Sequence, residues 1–399
     1  MLPAFLFMVS FNHGSDMVKN KFLIIAGEPS GDHHAALLVK ELKKIFPDHE
    51  YHGIGGEDMM NSGVHLLYRM EQLAFLGLAE IIKHLPFIQQ VFKQLRNWIK
   101  NENPAAVILV DYPGFNLRLA RMVKKLGIPV VYYICPQLWA WGQGRVKQIK
   151  RNVDLPLVIF KFEEEFYAKF GIRATFVGHP LVEEISPLQN RSDFCQRHGL
   201  DCTKKIIALL PGSRLNEVKK ILPELVELAG LYQTDPQLQW VVGKSVSLPI
   251  KIYQDIIGTH EFVRIIERDT HSLMKFSHAA FVASGTATLE TGFLETPLVV
   301  LYKVSPLTYH IGKFLVKIGN IALVNIVLGK SVVPELIQDR VKVSLLDHEL
   351  NKYLNDQDYY LSVRQQLAKV KEILGPPGAS ERAAREIQNF LQSARVTPT

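Results

Sequence analysis

Little in this chain of 399 residues serves for cross-linking or for crossing a bilayer. The three cysteines, Cys135, Cys195 and Cys202, show no paired or metal-ligand spacing, so no disulfide is expected and a reducing, cytoplasmic compartment is the natural one. No apolar run is long enough to span a membrane. The opening "MLPAFLFMVSF" lacks a basic leader and a small-residue cleavage site, which makes Met17 a candidate functional start. Repeats and low-complexity tracts are absent, which excludes solenoids and disordered tails. No spaced carboxylate pair reads as a metal site, so neither metal nor cofactor is expected.

The charge balance is present but diffuse. Lys and Arg number 46 against 39 acidic residues, a net +7 that suits an anionic partner: nucleic acid, a membrane surface or a phosphorylated substrate. No nucleic-acid-binding signature occurs and the basic residues are interleaved with apolar ones, so nucleic acid is set aside.

Short apolar runs alternate with helix-length amphipathic segments. "KFLIIAG", "AAVILVDY", "VVYYIC", "LPLVIF" and "ATFVG" read as buried strands, and the alternation restarts after residue 185 with "KIIALLPG", "LQWVVG", "VRIIE", "HAAFVAS" and "PLVVLYK". The pattern predicts an α/β protein with two Rossmann-like halves and a ligand cleft between them. The expected division is an extension over 1–20, a first half over 21–185, a second over 186–344 and C-terminal helices over 345–399, broken at "GPPG", residues 375–378.

Several strand exits carry anion-binding character. "FLIIAGEPSGDHHAA" leaves a strand through Gly27, Glu28, Ser30, Gly31 and Asp32, a turn that frees backbone for close approach; its plain alternative is a βα turn with Asp32 as helix N-cap. "ALLPGSRLNEV" ends a strand at Pro211 and Gly212, with Ser213 and Arg214 opening a helix, where amides and a guanidinium can share an anion. "AAFVASGTATLETG" presents Ser284, Gly285, Thr286 and Thr288 at a helix start, with Glu290 one turn in as an acceptor for ribose hydroxyls. Surface helix residues, simple caps and a solvated glutamate are the ordinary alternatives. Two such exits from strands of one half point to a diphosphate site.

These stretches, together with "GIGGEDMMNSG", "FLGLAEIIKHLP", "VDYPGFNLRLA", "CPQLWAWGQGRVKQIKR", "FVGHPLVE" and "VVPELIQ", occur in the order seen in the lipid-A-disaccharide synthases, and the resemblance runs from about Phe22 to Gln338. It implies an inverting GT-B glycosyltransferase, peripheral on the cytoplasmic face of the inner membrane of a Gram-negative bacterium, and a homodimer is the partner expected beside its substrates. The implied reaction moves 2,3-diacylglucosamine from its UDP form to 2,3-diacylglucosamine 1-phosphate (lipid X), making a β-1,6 disaccharide and releasing UDP. Asp111, ending the strand "VILVDY", then becomes the base for the acceptor hydroxyl, with a helix-capping role as its alternative. Arg214 and the amides of Gly212, Ser213, Gly285 and Thr286 would meet the charge of the departing diphosphate. Many members of that family carry a second aspartate where this chain has Gly114. They read Ser-Leu-Pro-Asn where it reads "ALVN", so Asn325 alone is carried over near the nucleotide.

Acyl chains require an apolar surface. The stretch 73–100 offers Leu76, Leu78, Ile81, Ile82, Leu85, Phe87 and Ile88 around Lys83 and His84, with Lys93, Arg96 and Lys100 following. An amphipathic helix packed on its own sheet is the alternative to a lipid wedge, and Pro86 is expected to interrupt it. Trp139 and Trp141 could stack on a sugar, while "EEE" at 163–165 reads as a solvated helix start. Two other classes remain beside the resemblance: another GT-B enzyme on a UDP-sugar, such as a UDP-N-acetylglucosamine 2-epimerase, and a non-enzymatic nucleotide- or membrane-binding protein.

Overall fold

The structure is a computed structural model that describes residues 20–73, 85–139, 142–303 and 320–396. The N-terminal extension, Leu76, Leu78, Ile81, Ile82 and Trp141 lie outside those residues, as does the side chain of Leu85.

Two sheets form, one from each half of the pattern. The first contains β1 (Lys21–Ala26), β2 (Glu50–Gly55), β3 (His65–Arg69), β4 (Ala106–Val110), β5 (Val130–Tyr133), β6 (Leu155–Val158) and β7 (Thr175–Phe176), in the order β3-β2-β1-β4-β5-β6-β7. The second contains β8 (Lys205–Leu210), β9 (Leu238–Lys244), β10 (Val263–Glu267), β11 (Ala279–Ala283), β12 (Leu298–Tyr302) and β13 (Glu335–Ile337), in the order β10-β9-β8-β11-β12-β13. Pairing is parallel from β3 to β6 and throughout the second sheet. Parallel strands are covered on both faces, which is why β4 and β11 are buried along their whole length and read as continuous apolar runs.

In both sheets the strand order reverses beside the first strand of its half. Chain progress runs outward from β1 through β2 to β3, then returns to β4 on the other side of β1; β8, β9, β10 and β11 repeat that path. Such a reversal splays the following turns apart at the carboxyl ends and opens a crevice there. The exits that the sequence marks, "GEPSGD" and "DYPGF" in one sheet and "PGSR" and "SGT" in the other, leave from those strands.

The chain divides into two compact units, Met1–Pro136 with Lys147–Leu157 and Ala383–Thr399, and Gln137–Val146 with Val158–Arg382. Helices Val343–Asn355, Gln357–Leu374 and Ala379–Val396 end the described chain. The second starts on Asp356, whose side chain accepts from Tyr359 N at 2.9 Å, and stops at Gly375, where φ is +79°.

Two sequence expectations change. Cys195 and Cys202 are joined as a disulfide, with Cα atoms 5.7 Å apart. The helix Arg191–His198 ends in left-handed Gly199, and that reversal carries residue 202 back beside 195, a proximity the seven-residue spacing does not announce. Pro86 lies in the first turn of the helix Leu85–Glu102, where its missing N–H costs nothing; the residues before Leu85, on which its expected interruption of a helix turns, lie outside the described ones. Val91, Leu95 and Ile99 form that helix's buried stripe, Phe87 and Ile88 are half-buried, and Lys93, Arg96 and Lys100 are exposed. Glu163 is fully buried instead of solvated. Its Oε1 accepts from Trp139 Nε1 at 2.9 Å and its Oε2 from the amides of Ile159 and Phe160, and burial pushes its carboxyl up to about 7.

Candidate active site

The first-unit site is built on the exits of β1 and β4. Asp111 and Tyr112 both adopt left-handed backbone conformations, φ +45° and +49°, which non-glycine residues hold only when their surroundings enforce it. Here the surroundings do. The Asp111 carbonyl accepts from Tyr132 Oη at 2.7 Å and from Asn116 Nδ2 at 2.8 Å, and that buried amide also reaches Val110 O at 3.2 Å. The kink tucks the Tyr112 ring over Gly27, where a Cβ would lie 2.2 Å from the ring, and Tyr112 Oη donates to Leu73 O at 3.2 Å. Gly27 therefore makes room for Tyr112. No side-chain cap forms at the helix Pro113–Lys125, so the Asp111 carboxylate is left for other work.

That carboxylate is electrostatically perturbed. Burial pushes Asp111 up to about 6, and the charge of Glu28 adds to the rise; the Tyr112 amide and His34 oppose it. Glu28 and Ser30 are exposed, while Gly31 is buried, a Cβ there meeting Ala26 Cβ and Val110 O at 3.7 Å. Asp32 is not the cap of its own helix. It is buried inside the helix Pro29–Ile45, and its carboxylate accepts from the amides of Gly56 (2.6 Å), Asp58 (3.1 Å) and Met59 (3.3 Å). It thereby satisfies the free N–H groups of the next helix, Glu57–Asn61, and the absent side chains of Gly55 and Gly56 leave it room. Glu28 and Asp111 are brought together; Asp32 is spent on structure.

The second-unit site is built on the exits of the neighbouring strands β8 and β11. Gly212 has φ +112°, and a Cβ there would lie 2.4 Å from Glu217 Oε2 and 3.3 Å from Ala283 Cβ, so its turn lies directly against the exit of β11. Arg214 is the N-cap of the helix Leu215–Leu231; its amide donates to Glu217 Oε2 at 3.4 Å and its guanidinium to Glu217 Oε1 at 3.0 Å. The Arg214 side chain is 82% exposed, so this pair is weak and open to competition by an anion. Ser213 is exposed and its carbonyl accepts from Ser247 Oγ at 3.1 Å.

Gly285 and Thr286 are exposed at the start of the helix Thr286–Phe293, where the Thr288 amide turns back to Gly285 O at 3.2 Å and the amides before it have no partner within the helix. Thr288 is buried and donates to Gly285 O at 2.8 Å, closing that turn, and Ser284 Oγ lies 3.5 Å from Ile321 O. Glu290, one turn in, stands 3.4 Å from His271 Nε2. Asn325 is fully buried: its Nδ2 donates to Val333 O and Glu335 Oε1, and its Oδ1 accepts from the amides of Val332 and Val333. That saturates the amide, so Asn325 organises the 332–335 turn and has nothing left for a nucleotide.

Sequence reasoning passed over Tyr132, Asn116, His271 and Glu217. Only Glu217 had a local signal, three residues beyond a helix N-cap as in a capping box. Among the described residues no three His, Cys, Asp or Glu side chains cluster as a metal site, and no helix is long and apolar enough to cross a membrane.

The sequence matches the family described as Lipid-A-disaccharide synthetase over residues 22–386. The lipid-A-disaccharide synthase of Geobacter sulfurreducens is 39% identical over 379 residues, which cover 94% of this chain and 99% of that protein. Solved structures share the fold at far lower identity. The calicheamicin glycosyltransferase CalG4 superposes with a TM-score of 0.64 at 15% identity, covering 96% of this chain and 100% of that one. The UDP-GlcNAc 2-epimerase from Neisseria meningitidis, solved bound to UDP-GlcNAc, gives 0.57 at 15%, covering 94% and 100%. At such identities the likeness speaks for the fold alone, so the epimerase alternative is not favoured over the family that the sequence matches along nearly its whole length. With its two Rossmann-like domains and C-terminal helices, the chain is a GT-B glycosyltransferase of lipid A biosynthesis and belongs to the lipid-A-disaccharide synthase family.

Proposed function

We propose that the protein transfers 2,3-diacylglucosamine from UDP-2,3-diacylglucosamine to the 6-hydroxyl of 2,3-diacylglucosamine 1-phosphate, giving the β-1,6 disaccharide 1-phosphate and UDP. The observation that carries this reading is the juxtaposition of the Gly212–Arg214 and Ser284–Thr286 turns on the neighbouring strands β8 and β11, where the strand order reverses. Two helix starts and one exposed guanidinium there suit a diphosphate and the charge that grows on it as it leaves. Glu290 is assigned to the ribose hydroxyls.

Asp111 is assigned as the base. It takes the proton of the acceptor hydroxyl as that oxygen attacks C1 of the donor sugar from the face opposite the diphosphate; the C1–O bond breaks and its electron pair leaves with UDP. A carboxylate at about 6 is ionised at neutral pH yet more basic than an exposed aspartate, which fits the role. Residues 21–185 are assigned to the acceptor and 186–344 to the UDP donor. The protein is assigned to the cytoplasmic surface of the inner membrane, with the apolar residues of the 73–100 stretch as the proposed contact and a homodimer as the proposed assembly.

Mass spectrometry of the products from UDP-diacylglucosamine and its 1-phosphate acceptor tests the reaction. The disaccharide 1-phosphate is expected, with EDTA present as well as without, because Arg214 and helix amides supply the positive charge. UDP-sugar consumed without a disaccharide would refute the reading.

A further inference from the structure

We propose that His271 is a positioning residue that holds the Glu290 carboxylate for the ribose hydroxyls of a nucleoside diphosphate. The proposal rests on the nucleotide reading of the second-unit site and adds a residue that the sequence did not single out.

His271 lies in the first turn of the helix Thr270–Phe276, after β10, while Glu290 belongs to the helix that follows β11. The Ser186 amide donates to His271 Nδ1 at 3.4 Å, so in the neutral ring the hydrogen resides on Nε2. That nitrogen faces Glu290 Oε2 at 3.4 Å. The segment supplying the Ser186 amide is itself pinned to the His271 helix. Leu188 N donates to Ser272 Oγ at 2.9 Å, and Lys275 Nζ donates to Leu188 O at 3.2 Å. The imidazole is thus set by backbone on one side and holds its Nε2 edge at ion-pair distance from the carboxylate on the other.

A glutamate has three side-chain torsions to freeze before it can accept from two adjacent hydroxyls, and a fixed polar edge beside one oxygen removes part of that ordering cost before the nucleotide arrives. Both side chains remain partly open, His271 26% and Glu290 17% exposed, so the carboxylate is supported without being sealed off.

The test is calorimetric binding of UDP and of 2′,3′-dideoxy-UDP to the full chain and to Glu290→Ala, His271→Leu and His271→Gln, with melting temperatures recorded alongside. The unsubstituted protein should prefer UDP by about tenfold or more, the value of hydrogen bonds to a charged acceptor. Glu290→Ala should remove that preference. His271→Leu should cut it several-fold while leaving affinity for dideoxy-UDP unchanged, and His271→Gln, which keeps a donor near the Nε2 position, should restore it. If Glu290→Ala abolishes the preference and His271→Leu keeps it, the positioning role is overturned and the nucleotide reading stands. Equal loss of both ligands in His271→Leu, together with a lowered melting temperature that Gln does not rescue, makes His271 structural and overturns the proposal. A preference that survives Glu290→Ala removes the ribose assignment and the proposal with it.

Discussion

The exit of β4 and the exit of β8 use similar turn chemistry and end in opposite physical states. At Asp111 the backbone is forced into left-handed conformations at two successive residues, clamped by Tyr132 and Asn116, and the carboxyl is pushed up to about 6 by burial and the Glu28 charge. At Arg214 the backbone is a regular helix start, the side chain is 82% exposed, and its carboxylate partner is one turn away on the same helix. Proton transfer needs a group whose basicity is raised by its surroundings, and a low-dielectric, over-determined pocket does that. Holding a diphosphate needs donors already aimed at open space, which a helix start and a glycine turn provide without burial. The two exits differ as the two tasks proposed for them differ.

The sharpest way to break this contrast is to remove the proposed proton acceptor. Asp111→Asn should lower kcat by about 10²- to 10⁴-fold while UDP affinity, read by calorimetry, stays as in the unsubstituted protein. Turnover within a few-fold of the original would place the base elsewhere. Arg214→Ala should cost about 10²-fold in kcat/KM, the loss expected from one donor to a developing charge, with an unchanged melting midpoint because the side chain is exposed. Normal kinetics would make Arg214 a surface residue.

The pH dependence sharpens the difference at Asp111. With the carboxyl at about 6, kcat/KM should fall tenfold per unit below that pH, and the Asn variant should lose this limb. The stability effect has the opposite sense. A carboxyl raised in the fold binds its proton more tightly there than in the unfolded chain. Its stabilising contribution is therefore complete below the ordinary aspartate range and lost as pH rises through about 6. Asp111→Asn should accordingly gain melting temperature over the parent as pH goes from 4 to 8.

Smaller effects test the packing around the first site. Gly27→Ala puts a Cβ 2.2 Å from the Tyr112 ring and should destabilise by about 1–3 kcal/mol in chemical denaturation, with activity lost alongside as the Asp111 turn shifts. Gly114→Asp is the counterpart. Nothing lies within 4 Å of a Cβ at Gly114, and an acidic residue in the first turn of the helix Pro113–Lys125 suits its dipole, so stability should change by less than about 1 kcal/mol. Unaltered turnover in that variant would show that Asp111 works without a second aspartate at position 114.

The buried strands were legible because parallel strands covered on both faces must be apolar along their length: β1, β4, β5, β8, β9, β11 and β12 stand where the β-branched runs lie. β2, β3 and β13 escaped notice for the converse reason. "EYHGIG" and "HLLYR" are interrupted by glycine, histidine and charge, and "ELI" is too short to show a period. At Gly53 the missing side chain is demanded by the neighbouring strand, since a Cβ there would stand 2.1 Å from Ile24 O, a contact no local pattern can reveal.

By itself the sequence determined the class of the protein and the turns that matter. Apolar periodicity records burial, and a glycine, proline or hydroxyl at a strand exit records the backbone geometry of that exit; both are local properties that survive in a string of letters. What each polar side chain does was decided by the tertiary structure. Asp32 and Asn325 looked like ligand-facing residues and are consumed by the amides of segments 24 and 7 residues away. Glu163 looked solvated and is sealed under Trp139, and Cys195 and Cys202 meet through a reversal at Gly199. Asp111 acquires its basicity from burial and from the charge of Glu28, 83 positions earlier. A carboxylate, amide or thiol is the same letter whether it is satisfied or waiting, and only the distances that folding sets between distant segments distinguish the two.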